Sequence, residues 1–379
     1  MRTRLTIVAV LATTMLAACG GAEVVGEADA PADAPAGTEA AAGGDAGSEG
    51  AEAPAEGGAM DIAVVPKAVG FDFWEQVRLG AECAATTAGD VTVQWDGVTA
   101  ETDVTGQLNL LQNFVTQGVD GLVYAATDAQ VLTDATTAAL EADIPVVNID
   151  SGTDPQPDDV PLFATDNEAG AAQAADLLAE QLPDGGEIAL LSFQPGTATN
   201  DQRVNGFTAG LENHPNLELV AEQSSQSDYN TALSVTENIL TANPELDGLF
   251  AANEPSVIGA VEAIRQAGRA GEIAVIGWDA SPDEIAALEE GLISALVVQN
   301  PFRMGFDGVN AAVALANGET AESGDTGVTF VTQENLESEE VQAVLAPSCD
   351  DPPTGDAGGG AGASEEATAD TAASESGAS

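Results

Sequence analysis

Ile62-Ala-Val-Val-Pro-Lys67-Ala-Val-Gly-Phe71-Asp-Phe73-Trp74-Glu-Gln-Val-Arg-Leu-Gly80-Ala-Glu82 changes its period within a few residues. Ile62 to Val65 is a short, largely β-branched run that reads as a buried strand, and Pro66 ends the ladder because it has no N–H to donate. From Phe73 the apolar residues Phe73, Val77, Ala81 and Ala84 recur at i, i+4, i+8 and i+11, one face of a helix. Open α/β sheets hold ligands at the carboxyl ends of their strands, which places Lys67, Phe71, Phe73 and Trp74 at the mouth of a crevice. Three aromatics in four positions stand out in a chain with 4% aromatic residues; they read as a binding platform or as core.

Working outward, strand-like runs at 91–94, 121–125, 145–150, 187–193, 217–221, 248–251, 273–278, 293–298 and 328–331 alternate with helical periods. The helices are expected at 104–117, 128–142, 168–182, 200–213, 229–242, 255–268, 282–290 and 302–317. Regular βα alternation predicts an α/β fold of parallel sheets with helices on both faces. So many strands in 379 residues suit two lobes better than one sheet.

Composition narrows the partners. Lys and Arg number 8 against 63 Asp and Glu, a formal net charge of -55, and no basic patch exists for nucleic acid or anionic lipid. The acid extends through the folded stretch, and self-repulsion on that scale is tolerated best where salt screens it, so a saline habitat is expected. Arg2 and Arg4 precede an apolar run, Leu5 to Ala18, that is too short to span a membrane and reads as an export signal. Its end, Leu16-Ala17-Ala18-Cys19, resembles the bacterial lipobox, which implies a signal peptide at 1–18 and a lipid-modified Cys19 tethering the chain outside the cytoplasm. Cys83 and Cys349 remain as an even pair, and the sequence leaves open whether they form a disulfide. The linker at 19–59 and the tail at 349–379 are rich in Ala, Gly, Pro and acid and read as disordered.

Polar residues cluster after the strand runs: Asp150, Asn253, Asp279 beside Trp278, and Gln299. Each is either a helix N-cap or a ligand group. Arg203 lies at a helix start, where a cation opposes the helix dipole and is better explained by function. Carboxylates, amides and a guanidinium beside aromatic faces suit a neutral polyhydroxylated ligand, because hydroxyls both donate and accept while the C–H face of a sugar covers an aromatic ring.

Over about residues 60 to 335 the chain resembles the bacterial ABC-transporter sugar-binding proteins of the ribose-binding type, periplasmic-binding-protein type I. The motifs are Phe73-Trp74 with Gly80-Ala81-Glu82, Asp120-Gly121 leading to Ile144-Pro145-Val146-Val147, Thr165-Asp166-Asn167, Arg203-Val-Asn-Gly-Phe207, Ala252-Asn253-Glu254, Gly277-Trp278-Asp279 with Pro282-Asp283, and Gln299. The resemblance implies two Rossmann-like lobes joined by a three-strand hinge: 60–164 with 299–327, and 165–298 with 328–348. It implies that Phe73 and Trp74 wall a sugar and that Asp150, Arg203, Asn253, Asp279 and Gln299 bind its hydroxyls. No cofactor or metal is expected, and the expected partners are a monosaccharide or polyol and an ABC permease in the cytoplasmic membrane, with the protein a lipid-anchored monomer. Phe71, Ala125, Ser151 and Ser227 depart from the ribose binders, which argues against ribose itself. Lys67, the one lysine in the chain, reads as a replacement donor or as a solvated loop residue.

An enzyme is not expected: no Gly-x-Ser-x-Gly elbow or phosphate loop occurs, and the single His, His214, sits in a turn away from the strand ends. A DNA-binding regulator of this fold would carry a helix-turn-helix where the export signal stands. The alternative function is a receptor that uses the same pocket to report occupancy to a membrane sensor.

Overall fold

The computed structural model describes residues 59–350. The leader at 1–18, Cys19, the linker up to residue 58 and the tail beyond Asp350 lie outside the described residues.

The first half of the chain forms β1 (Met60–Val65), α1 (Asp72–Ala88), β2 (Val91–Trp95), α2 (Val104–Gln117), β3 (Gly121–Tyr124), α3 (Thr133–Glu141), β4 (Val146–Ile149) and β5 (Leu162–Ala164). There follow α4 (Asn167–Gln181), β6 (Gly186–Ser192), α5 (Ala198–Leu211), β7 (Leu217–Ser224), α6 (Tyr229–Ala242), β8 (Leu246–Ala251), α7 (Glu254–Gln266), β9 (Ala274–Trp278), α8 (Pro282–Glu289) and β10 (Ala295–Gln299). The chain ends its described part with α9 (Pro301–Ala316), β11 (Gly324–Asp325), β12 (Val328–Val331) and α10 (Glu339–Leu345).

Two six-stranded sheets result, ordered β11-β5-β4-β3-β1-β2 and β12-β10-β9-β8-β6-β7. β12 runs antiparallel to β10, and the remaining pairings are parallel. The chain passes between the sheets at 165–166, at Asn300 and at 326–327. The first and third passages are joined, since the Thr326 N–H donates to the Ala164 carbonyl at 2.9 Å and the Thr165 hydroxyl to the Gly327 carbonyl at 3.5 Å.

Apolar runs are continuous here because both sheet faces are covered. Ile62 and Val64 pack with Trp74 and Val77 of α1 and Met304 of α9, while Ala63 and Val65 face Leu111 of α2 and Leu132. Burying each such aliphatic side chain contributes about 1.5–3 kcal/mol. α1 and α9 touch backbone to backbone: a Cβ on Gly80 would collide with the Phe302 carbonyl, and one on Gly305 with the Val77 carbonyl. That contact seats the helix entering from the second passage against the helix that carries Phe73 and Trp74.

Two departures from the sequence reading have local causes. α3 starts at Thr133 rather than near 128, because the Asp128 carboxylate accepts the N–H groups of Gln130 (3.0 Å) and Val131 (2.8 Å) and spends those residues in a turn. β5 and β11 have three and two residues, too few to show a period. Cys83 and Cys349 are disulfide-bonded, with Cα atoms 5.5 Å apart. Because Val341 and Leu345 of α10 pack on the second lobe's core, this bond fastens the end of that lobe to α1 of the first.

Candidate functional site

The carboxyl ends of the two sheets meet around a narrow chamber, at the strand-end position where α/β sheets hold ligands. Lys67, Phe73, Trp74 and Asp150 reach it from the first lobe, Arg203, Asn253 and Asp279 from the second, and Gln299 from the second passage. Two wider hollows open beside the hinge, but neither is lined by Lys67 or Arg203.

Lys67 is 3% exposed, which sets aside a solvated loop role. Its Nζ lies 2.9 Å from Asp150 Oδ2 and donates to Thr199 Oγ1 of the opposite lobe at 3.0 Å. Arg203 donates from Nε to Asn167 Oδ1 and from Nη1 to the Ala252 carbonyl, both at 2.8 Å, and its Nη2 stands 4.0 Å from Asp150 Oδ1. The guanidinium lies 4.2 Å from the Trp278 ring centre and 5.2 Å from that of Phe193, a desolvated cation over aromatic faces.

Asp150 and Asp279 occupy equivalent places, each just past a strand end and one in each lobe, and both have left-handed backbone, φ 56° and 85°. Non-glycine residues are costly there and persist where the surroundings hold them, as at ligand sites. Asp279 accepts from Gln299 Nε2 at 2.7 Å and from the Glu254 N–H at 3.0 Å. Burial pushes its carboxyl up from the ordinary range, and Arg203 pulls it back. It does not cap α8: Ser281 does, in a reciprocal capping box with Glu284. Asn253 fills both roles open to it, capping α7 through the Ser256 N–H at 3.2 Å while its Nδ2 donates to Ser227 Oγ at 3.1 Å.

The aromatics divide. Phe73 is half-buried and meets Trp74 edge to face at 4.8 Å; Trp74 is 2% exposed, sunk in the core with an edge on the chamber. Trp278 is a correction, since it does not line the chamber. Strand alternation turns it toward α4, where Gly170 leaves room for the ring, and it acts as the floor beneath Arg203.

The model of the periplasmic binding protein domain matches residues 62–320. The chain belongs to that family. It is similar to the D-ribose/D-allose-binding protein of Pseudomonas aeruginosa, at 31% identity over 70% of this chain and 85% of that one. Among solved structures, an ABC transporter solute-binding protein of Agrobacterium vitis with bound D-fucose matches at 36% identity and a TM-score of 0.72, covering 75% of this chain and 99% of its own. A carbohydrate transporter solute-binding protein of Agrobacterium radiobacter in complex with D-arabinose matches at 31% identity and 0.73, covering 76% and 98%. Members of the family are extracytoplasmic binding proteins of the type I fold rather than enzymes.

Four residues that line this family member's chamber escaped the sequence reading as site residues: Glu101, Phe193, Glu254 and Pro255. Phe193 directly follows β6, a strand-end signal hidden by extending the predicted strand over it. Glu254 accepts the N–H groups of Asp72 (3.2 Å) and Phe73 (2.9 Å), so a carboxylate of the second lobe satisfies the first turn of α1, whose N-cap residue Phe71 has no side-chain acceptor to offer. Burial pushes its carboxyl up to about 7, against the pull of the Phe73 N–H. With Lys67 on Thr199, Ser227 on Glu101 and the Ala129 N–H on the Gly196 carbonyl at 2.9 Å, these contacts hold the lobes closed.

Proposed function

We propose that this protein captures a monosaccharide or related polyol by lobe closure and delivers it to an ABC importer from the outer face of the cytoplasmic membrane. The observation that carries the reading is the chamber itself: donors and acceptors from both lobes converge on a buried space flanked by Phe73, Trp74 and Phe193. Gln299 Oε1, buried there, has no donor among the described residues, which suits a ligand hydroxyl. The relative named for D-ribose and D-allose and the solved structures that hold D-fucose and D-arabinose support the same class. In this reading Phe73 and Trp74 wall the sugar, Asp150, Arg203, Asn253, Asp279 and Gln299 serve its hydroxyls, and Lys67 and Arg203 set Asp150 in place. Cys19 carries the lipid, and the protein works as a monomer. Closure shifts a balance between open and closed lobes toward the closed form.

A thermal-shift screen of pentoses, hexoses, deoxysugars and polyols tests the class, because any true ligand raises the melting temperature by mass action. Stabilisation by amino acids or peptides alone would refute it. X-ray scattering should show compaction at saturating sugar, and an unchanged radius of gyration would remove the clamp.

A further inference from the structure

Glu101 leaves the loop between β2 and α2, a place where a carboxylate normally stays in water, yet it is 3% exposed and lines the chamber. A charge is buried at such a place only when hydrogen bonds or partners offset the loss of water. Among the described residues no lysine or arginine forms an ion pair with it; Lys67 and Arg203, the cations of the chamber, are engaged with Asp150. Among the described residues its one side-chain hydrogen bond comes from the Ser227 hydroxyl of the opposite lobe, 2.6 Å from Oε2. Ser227 is held for that contact: it and Gln226 have left-handed backbone, φ 53° and 56°, and Asn253 Nδ2 donates to the same hydroxyl. A carboxylate has about four acceptor positions, so most of this one's capacity remains for a donor in the chamber.

We propose that Glu101 is a ligand-contacting, specificity-determining residue: it accepts a hydroxyl proton of the captured sugar, and with Asp150 and Asp279 it restricts the site to ligands without negative charge. This rests on the sugar reading above and narrows its substrate class. Glu254 is left out of the charge count because burial favours its protonated form, and Glu101, Asp150 and Asp279 still outnumber Lys67 and Arg203 in the closed chamber, so a uronate or sugar phosphate brings an anion to a surplus of anions with water excluded. A neutral sugar or polyol brings only hydroxyls, and each can donate to an acceptor already present. Ser227 couples the contact to closure, because its hydroxyl reaches Glu101 only when the lobes meet.

The test is calorimetric titration of wild type, Glu101→Gln and Ser227→Ala with D-ribose, D-allose, D-arabinose and D-fucose, and with D-galacturonate and D-glucuronate as anionic probes. Wild type should bind at least one neutral sugar and neither uronate. Glu101→Gln, which keeps shape and removes charge, should lose about tenfold or more in affinity for that sugar, while Ser227→Ala loses less. Affinity kept within about twofold in a folded Glu101→Gln overturns the inference, as does an equal loss in Ser227→Ala, which would make Glu101 a lobe contact only. The wild-type arm stands by itself should the variant not fold: a uronate bound as tightly as the neutral sugars overturns the charge argument. Failure of every sugar to bind wild type removes the sugar reading itself, and this inference with it.

Discussion

Asp279 and Ser281, two residues apart, hold different posts. Asp279 gives both carboxylate oxygens to groups at the chamber wall, Gln299 and the Glu254 N–H, whereas Ser281 caps α8. Replacing Asp279 by Ala should leave buried donors unsatisfied and cost about 1–3 kcal/mol, lowering sugar affinity at least about tenfold. Ser281→Ala should cost about 1 kcal/mol of stability and leave affinity alone. Titration beside a melt measures both, and an intact dissociation constant in Asp279→Ala would take Asp279 out of the site. Lys67 predicts a different pattern, because removing one partner of a buried ion pair strands the other. Lys67→Met should lower stability by about 3 kcal/mol or more as well as abolish binding, a loss visible in the ligand-free melt.

At the scale of elements, the first turn of α1 depends on a carboxylate that belongs to α7. Glu254, with its carboxyl raised from 4.5 to about 7 by burial, makes that junction sensitive to pH. Below about pH 4.5 the folded and unfolded chains both hold the proton. As pH rises toward 7 the unfolded chain has released it and the folded chain keeps it, so stability is lost across that window, by roughly 1–3 kcal/mol. Asp279 and Glu284, shifted upward chiefly by burial as well, add to the same slope. The melting temperature should therefore fall between about pH 5 and about pH 8 at constant salt. Glu254→Gln should flatten that fall, and a variant with the wild-type slope would show that the proton resides elsewhere.

The whole molecule combines closure with strong self-repulsion. Between the lobes run three backbone passages and the Cys83–Cys349 disulfide, which closes a loop of 266 residues. Reduction, or the double change to Ser, should lower stability by about 2–4 kcal/mol by freeing the unfolded chain. It should also let the ligand-free lobes open further, which scattering would register as a larger radius of gyration; equal melts with and without reductant would dismiss the bond as a stabilising tie. A net charge of -55 spreads repulsion over the surface. Raising salt from low to molar levels should raise the melting temperature as screening shortens the reach of those charges, and a flat response would sever the acidity from any saline setting.

The sequence by itself determined the α/β alternation, the two-lobe division and the strand ends that carry Asp150, Asn253, Asp279 and Gln299. Those are local properties, written in the period of apolar residues and in the polar residue that interrupts it. It could not show that Trp278 turns away beneath Arg203, because a strand's last residue can face either side and the space beside Gly170 decides which. Nor could it pair Glu101 with Ser227, 126 positions apart, or give the α1 N-terminus its cap from Glu254, more than 180 positions away. Only the tertiary structure decided those contacts. They form when two independently packed sheets bring their carboxyl ends together, and a carboxylate that reads as solvated surface in the chain becomes a buried partner once water is excluded between the lobes.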